Sequence, residues 1–276
     1  MMKKEFENKV AVITGAASGI GRALSLQLAR YDCHLALCDI DPENLIDLSR
    51  EIQELASSSK ISLHTFDVSD YEAFKEAGNE IISRHNRVNL VFNNAGRTII
   101  DSATPEDMDE TKKVFNVNYW GVVHGTTVFM PYLLKEKNAH LINLSSIYGI
   151  IAVPTQSAYC ASKFAIKGYT ESLAQEFSNS SVEFHCVHPA GVRTDILDNA
   201  KYLDLGAFKS KKTIERSFKS VTWLNAEQSS NIILKGVVKK NFRIYVGFIS
   251  KVIHAWQRIF PNFYMTVSLK WINSLK

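Results

Sequence analysis

The sequence predicts an α/β fold in which a doubly wound parallel β-sheet is covered by helices on both faces. Two observations lead to this prediction. Short apolar segments alternate with longer amphipathic segments along the 276 residues, and the first apolar segment ends in a glycine-rich turn before a helix. Strands separated by helix-length segments pair in parallel, and right-handed crossovers then place helices on both faces.

The individual elements follow from the same patterns. Short apolar segments predict strands at 10–14, 35–38, 61–66, 88–92, 141–144, 184–187 and 243–246. Helical periodicity predicts helices at 20–30, 42–56, 71–85, 105–135, 156–177 and 226–239. Asp41 before Pro42 is typical of an N-cap followed by the first helical turn. The stretch 198–220, rich in Lys and Ser, has no regular pattern.

The bulk composition narrows the class of protein. A net charge of +4 is too small to favour nucleic-acid binding, and the four cysteines lack a metal-binding spacing. We therefore expect free thiols and no metal site. A signal peptide and an apolar segment of membrane-spanning length are both absent from the sequence. These features lead us to expect a cytoplasmic protein.

The loop after the first predicted strand has the spacing G-x-x-x-G-x-G. Glycines permit a tight turn and let a pyrophosphate approach the N-terminus of the next helix, where N–H groups and the helix dipole favour negative charge. A purely structural turn is the alternative, but a strand before and a helix after the loop favour a dinucleotide site. The predicted contacts are Gly15, Ser18, Gly19, Ile20 and Gly21.

Asp39 ends the second predicted strand, 18 residues after Gly21. A carboxylate there can accept hydrogen bonds from the adenosine ribose and would repel a 2′-phosphate. Its neighbours Cys38 and Ile40 are not basic, and Arg22 falls inside the first predicted helix. We therefore predict NAD rather than NADP as the cofactor, with a helix cap or loop acid as the alternative role.

Further motifs follow in order along the chain: Asp67-Val68, Asn93-Asn94-Ala95-Gly96, Asn118, Ser146, Tyr159-x-x-x-Lys163 and Pro189-Ala190-Gly191-Val192-Arg193-Thr194. Together with the glycine loop they resemble the short-chain dehydrogenase/reductase family from about residue 9 to 247. The resemblance implies a single Rossmann-type domain and catalytic roles for Asn118, Ser146, Tyr159 and Lys163. It also implies dinucleotide contacts from Asp67, Val68, Asn94, Ala95, Gly96, Tyr159, Lys163, Pro189, Gly191, Val192 and Thr194.

A second Tyr-x-x-x-Lys pattern occurs at Tyr71 and Lys75, with Ser58 placed 13 residues earlier, as Ser146 is before Tyr159. Ligands of open parallel sheets bind beyond the carboxyl ends of the strands. Ser146 follows a predicted strand at that edge, whereas Ser58 precedes one at the opposite edge. The topology therefore selects Tyr159 as the catalytic tyrosine.

The residue types fit alcohol–ketone chemistry. A free tyrosine has a pKa of about 10, too high for a base at neutral pH. Lys163 lies four residues along the same helix, so we expect its ammonium and an oxidised nicotinamide to lower the pKa of Tyr159. Ser146 would bind the substrate oxygen. By resemblance, Asn118 would hold a water that links Lys163 to solvent, although a structural polar role is equally open.

The expected pocket walls are mostly apolar: Arg97, Ile147, Tyr148, Val153 and Ala190, with 198–220 as a covering segment. They favour a hydrophobic alcohol or ketone. Arg97 would be either a surface residue or a partner for an anionic group.

Residues 248–276 are predicted to form an amphipathic helical extension of the 1–247 domain. One apolar face carries Ile249, Val252, Ile253, Trp256 and Phe260, and after Pro261 a second carries Tyr264, Val267, Trp271 and Leu275. No Asp or Glu follows Glu227, whereas eight Lys and Arg residues do. The extension is expected to cover the pocket, to pack against another subunit, or to contact a membrane surface.

The leading hypothesis is an NAD(H)-dependent oxidoreductase that acts on a small-molecule alcohol or ketone. Two alternatives remain open: a non-catalytic dinucleotide-binding regulator, and a lyase or epimerase with tightly bound cofactor. By resemblance the long helices pair between subunits, so a homodimer or homotetramer is expected.

Overall fold

The computed structural model describes residues 2–56, 58–103, 107–193, 196, 199–206, 208, 210–221 and 223–275. The strands are β1 Val10–Thr14, β2 His34–Asp39, β3 Ile61–Thr65, β4 Leu90–Asn93, β5 Ile99–Ile100, β6 Ala139–Leu144, β7 Val182–Pro189, β8 Lys201–Tyr202 and β9 Arg243–Val246. The helices are α1 Met2–Phe6, α2 Gly19–Ala29, α3 Pro42–Leu55, α4 Tyr71–His85, α5 Met108–Phe115, α6 Gly121–Leu133, α7 Ser157–Glu176, α8 Lys211–Val221, α9 Ala226–Val238, α10 Phe248–Ile259 and α11 Phe263–Leu275.

Seven strands form one parallel sheet in the order β3-β2-β1-β4-β6-β7-β9. The chain reverses its direction of travel across the sheet between β1 and β4, which opens a crevice at the carboxyl ends of these strands. A separate two-stranded sheet pairs β5 with β8. The predicted doubly wound α/β fold is confirmed.

Alternating residues of the central strands supply the two faces of the sheet. Ile13 and Leu35 pack on the side of α2, α3 and α9, whereas Val12 and Ala36 pack on the side of α4, α6 and α7. Both faces are buried, which is why the strands appear in the sequence as continuous apolar segments rather than as an alternating pattern. None of the described helices is both long and apolar enough to cross a bilayer.

Most predicted elements agree with the structure to within two residues at each end, but two predictions are wrong. The single helix expected at 105–135 is divided into α5 and α6 by a π-helical turn at Asn116–Trp120. The stretch 198–220, expected to be irregular, contains β8 and most of α8. The expected N-cap is confirmed, because the Asp41 side chain accepts hydrogen bonds from the backbone N–H groups of Glu43 and Asn44.

Two buried histidines should make the fold less stable in acid. His140 Nδ1 and His185 Nε2 lie 3.0 Å apart, and burial lowers the pKa of His140 to about 2 and of His185 to about 4. Glu5 Oε1, 3.8 Å from His140 Nε2, does not offset burial. Below about pH 6.5 these histidines take up protons in the unfolded chain but stay neutral in the folded protein. Each histidine should therefore lower the free energy of unfolding by about 2 kcal/mol between pH 7 and pH 5.

Urea denaturation across this pH range measures the effect. The free energy of unfolding should fall as the pH is lowered, and His140→Gln should make the dependence less steep. A free energy that stays constant from pH 7 to pH 5 would contradict the assignment of two neutral imidazoles.

Candidate active site

A cavity of about 530 Å³ lies at the carboxyl ends of the central strands. It is bounded on one side by the β1–α2 loop and on the other by residues after β4, β6 and β7. Of the predicted site residues, it brings together Gly15, Ser18, Gly19, Ile20, Asn94, Ala95, Gly96, Ser146, Tyr159, Lys163, Pro189, Gly191 and Val192. The described residues contain no group of three His, Cys, Asp or Glu side chains arranged to bind a metal.

The β1–α2 loop has the geometry of an anion-binding helix N-terminus. Gly15 and Gly19 have φ angles of +64° and +50°, which glycine adopts readily. Ser18 is the N-cap of α2, but among the described residues its side chain makes no capping hydrogen bond. The first N–H groups of this 11-residue helix therefore remain available to a pyrophosphate, and the residues fit a dinucleotide.

Gly21 does not line the cavity, but it fixes the loop that does. A Cβ atom at this position would lie 2.0 Å from the carbonyl oxygen of Gly15 and 2.6 Å from Nδ2 of Asn94. Asn94 Nδ2 donates to the carbonyl oxygens of Thr14 at 2.9 Å and Gly15 at 3.0 Å. The loop, the start of α2 and the segment after β4 are thus held in close contact.

Asp39 stands at the end of β2 beside the same loop. Its Oδ2 accepts from the backbone N–H of Ala17 at 2.8 Å, and its Oδ1 accepts from that of Asp41 at 3.1 Å. Arg22 is engaged by an ion pair with Glu51 on α3. Asp39 therefore presents a fixed carboxylate outside the cavity lining.

Tyr159, Ser146 and Lys163 all line the cavity, and all three are more than nine-tenths buried. Ser146 lies close enough to Tyr159 for its hydroxyl to lower the pKa of the phenol. Lys163 Nζ lies 5.6 Å from the centroid of the Tyr159 ring and donates to the carbonyl oxygen of Leu144 at 2.9 Å. The neighbouring Ser145 is directed elsewhere, since its Oγ donates to the carbonyl oxygen of Lys163 at 2.8 Å.

In the chain by itself, the pKa of Tyr159 is raised. Burial raises the pKa of Tyr159 to about 12, although the hydrogen bond with Ser146 lowers it. Burial also lowers the pKa of Lys163 to about 8. Burial in the cavity therefore disfavours charge on both groups.

Asn118 occupies the π-helical turn and is fully buried. Its Nδ2 donates to the carbonyl oxygen of Arg97 and to Ser162 Oγ, both at 3.0 Å, and its Oδ1 accepts from the N–H of Arg97 at 2.8 Å. A Cβ on Gly96 would lie 3.3 Å from Asn118 Oδ1 and 3.4 Å from Lys163 Nζ. Asn118 thus ties the segment after β4 to α7, next to Lys163.

Among the remaining predicted contacts, only Gly191 is described and lines the cavity. Asp67 is exposed and Val68 is buried against Gly121, outside the cavity lining. Gly191, with a φ angle of +64°, lines the cavity, and its carbonyl oxygen accepts from the N–H groups of Trp223 and Leu224. Thr194 lies outside the described residues.

The five expected wall residues all line the cavity: Arg97, Ile147, Tyr148, Val153 and Ala190. The charge of Arg97 is matched by Glu110, whose carboxylate lies 2.8 Å from Arg97, 2.9 Å from Lys113 and 3.2 Å from Lys201. Hydrogen bonds from neighbouring lysines, with the largest effect from Lys113, lower the pKa of Glu110 to about 2. Of these five wall residues only Arg97 is charged, and its charge is paired with Glu110.

Sequence patterns missed several lining residues. Thr98 lies in the loop before β5, and Gln156 is the N-cap of α7. Neither residue belongs to a motif in the sequence. The extension supplies a further side of the cavity, which agrees with one of the three roles expected for it. Its lining residues are Ile249, Ile253, Trp256, Tyr264 and Val267.

The alternative tyrosine pattern lies elsewhere. Tyr71 packs against His124 with ring centroids 5.2 Å apart, and Lys75 pairs with Glu72. Neither residue lines the cavity.

A family model described as short chain dehydrogenase matches residues 9–202. This chain belongs to the short-chain dehydrogenase/reductase family. The enzyme is 37% identical over 262 residues to SadH of Mycobacterium tuberculosis, a protein named as an oxidoreductase, with 94% of this chain and 93% of that protein covered. It is 34% identical over 195 residues to the 3-oxoacyl-[acyl-carrier-protein] reductase FabG of Thermotoga maritima, with coverage of 70% and 77%.

Solved structures agree with this assignment. A short-chain dehydrogenase/reductase from Burkholderia phymatum in complex with NAD superposes with a TM-score of 0.84 at 27% identity, covering 92% of this short-chain dehydrogenase and 94% of that chain. Levodione reductase superposes with a TM-score of 0.78 at 22% identity, covering 87% and 95%, and shows the shared fold. The chain is thus an oxidoreductase enzyme of this family.

Proposed function

We propose that this enzyme interconverts a hydrophobic secondary alcohol and its ketone by hydride transfer with NAD(H), using Tyr159 as the acid/base. The observation that carries the proposal is one apolar cavity shared by the glycine loop at one end and by Tyr159, Ser146 and Lys163 at the other. Dinucleotide and substrate can therefore meet beside a buried phenol.

The proposed roles follow from the atoms that face the cavity. In the oxidative direction Tyr159 Oη takes the hydroxyl proton of the alcohol, and in the reductive direction it returns that proton to the carbonyl oxygen. Ser146 Oγ orients the substrate oxygen beside the phenol. When bound in its oxidised form, the dinucleotide supplies the hydride acceptor and a positive charge. Asn118 acts as a positioning residue, since it holds the backbone of Arg97 next to Lys163.

The apolar lining supports a hydrophobic substrate. Ile147, Val153 and Trp256 contribute side chains to the cavity, and Arg97 is already paired with Glu110. A panel of alcohols and ketones of graded hydrophobicity, assayed with NAD(H) and NADP(H), tests the proposal. Turnover should rise with apolar surface. NAD binding without turnover of any substrate would favour a regulator, whereas cofactor retained through gel filtration without net reduction would favour a lyase or epimerase.

Asp39 is proposed to select NAD over NADP. The β1–α2 loop beside Asp39 is proposed to contact the dinucleotide. In Asp39→Asn the charge is removed while the side chain keeps its shape and can still accept from Ala17. The ratio of kcat/KM for NADP over NAD should rise at least about tenfold, because a carboxylate no longer repels the 2′-phosphate. An unchanged ratio would contradict the role given to Asp39.

Lys163 is proposed to favour the phenolate once the dinucleotide is bound. In Lys163→Met the apparent pKa of the oxidative reaction should rise by about one unit, because one cation near the Tyr159 ring is lost. The pH profile of kcat/KM measures the shift. Lys167→Met, one helical turn further along α7, is the matched control and should leave the profile in place.

Pairing of subunits is proposed through the long helices. Trp120, beside α6, and Phe164, on α7, are exposed apolar residues that would suit such an interface. Sedimentation velocity would distinguish a dimer or tetramer from a monomer.

A further inference from the structure

Helix α10 carries two apolar strips rather than the single face expected from its sequence. Ile249, Ile253 and Trp256 line the cavity. Phe248 and Ile259 follow a second strip along the same helix and are 81% and 66% exposed. Contact with the cavity therefore explains only part of the apolar surface of this helix.

Helix α11 also combines cavity-lining and exposed apolar side chains. Tyr264 and Val267 line the cavity, whereas Phe263, Met265 and Leu269 are 58%, 45% and 51% exposed. Large exposed apolar side chains are normal singly, but a set on two consecutive helices marks an interaction surface. We call the exposed apolar residues between 248 and 269 that do not line the cavity the outer strip; they are Phe248, Val252, Ile259, Phe260, Phe263, Met265 and Leu269.

The positive charge around the outer strip favours a negatively charged partner. Lys251 and Arg258 are exposed and seven residues apart, so they share one side of α10 next to the outer strip. Lys270 is exposed on α11, and no Asp or Glu follows Glu227 in the sequence. A second copy packed symmetrically through the same outer strip would bring like charges together, whereas an anionic surface would neutralise them.

We infer that the outer strip seats the enzyme on the surface of an anionic phospholipid membrane. Aromatic and aliphatic side chains flanked by Lys and Arg are the features of helices that lie in the interface of a bilayer. The same two helices line the cavity, so the membrane would lie beside the substrate site. This seating does not depend on the proposed reaction, and it can be measured without turnover.

Flotation of the full-length enzyme with phosphatidylcholine vesicles, with and without phosphatidylserine, tests the inference. The enzyme should float with the anionic vesicles, float much less with the neutral ones, and be released by salt. Failure to float with either composition would overturn the inference. So would an enzyme whose oligomer dissociates when the outer strip is altered, since a second copy would then cover that strip.

An apolar variant tests the outer strip itself. Phe248→Ser/Ile259→Ser/Phe263→Ser should lower the partition coefficient onto anionic vesicles at least about tenfold. Met108→Ser/Leu134→Ser alters exposed apolar residues elsewhere and should change nothing. Thermal melting of both variants checks that the fold is kept. Flotation that survives the triple substitution in a folded protein would overturn the inference.

A charge variant tests the choice of lipid. Each basic residue at an anionic surface contributes about fivefold to partitioning, so Lys251→Gln/Arg258→Gln should weaken binding about 25-fold. Lys4→Gln/Lys137→Gln removes the same charge from the main domain and is the matched control. Equal effects of the two variants would assign the binding to net charge alone and overturn the role of the extension.

Discussion

Replacing Tyr159 with phenylalanine is expected to lower kcat by about three orders of magnitude while the affinity for NAD stays within about twofold. The substitution removes one hydroxyl from a buried ring and leaves the packing of the cavity in place. Without that hydroxyl, no proton is taken from or returned to the substrate oxygen at this position. Steady-state kinetics and titration of NAD by tryptophan fluorescence separate the two effects.

Tyr148 provides the matched control. Its ring lies 6.3 Å from that of Tyr159 and lines the same cavity, and burial raises its pKa as well. Tyr148→Phe should retain most of the activity, because its hydroxyl has no proposed proton to transfer. Similar losses in both variants, or near-normal turnover in Tyr159→Phe, would remove Tyr159 from the role of acid/base.

Gly21→Ala should destabilise the fold by about 3 kcal/mol and weaken dinucleotide binding about 100-fold. A methyl group at this position would lie 2.0 Å from the carbonyl oxygen of Gly15, which is rigid backbone. Helix α2 and the loop must then separate, and the N–H groups proposed to bind the pyrophosphate move with them. Thermal melting and NAD titration measure the two losses.

Gly168→Ala is the control for an alanine placed in a helix. Gly168 lies on α7, and a Cβ there would meet no described atom within 4 Å. Alanine is the better helix former, so this variant should gain about 0.5–1 kcal/mol of stability. If Gly21→Ala behaved like Gly168→Ala, the close contact between α2 and the loop would not be what holds the dinucleotide site.

The sheet and most of its helices could be predicted because their signals are local. Apolar segments mark buried parallel strands, and Tyr159 was separated from Tyr71 by asking which edge of the sheet each serine occupies. The division of 105–135 could not be predicted. Asn118 has ordinary helical neighbours in sequence, and its side chain in the π-helical turn bonds to Arg97 and Ser162, which are distant in the chain.

The pKa values of the site residues were the second property that could not be predicted from the sequence. Spacing correctly placed Lys163 against the Tyr159 ring, but spacing contains no information on burial. Desolvation decides the pKa of both groups in the chain alone. The apolar pattern of the extension was likewise visible, yet its division into a cavity side and an outer strip depends on where α10 meets the sheet.

The four-membered ion cluster around Glu110 gives one side of the cavity ion pairs that the extension lacks. Arg97 follows β4, Lys113 belongs to α5, and Lys201 begins β8, so one carboxylate links three segments on that side. The extension supplies another side of the cavity and makes no ion pair among the described residues. Because moving the extension would separate no such pair of opposite charges, we expect bulky molecules to enter and leave on its side.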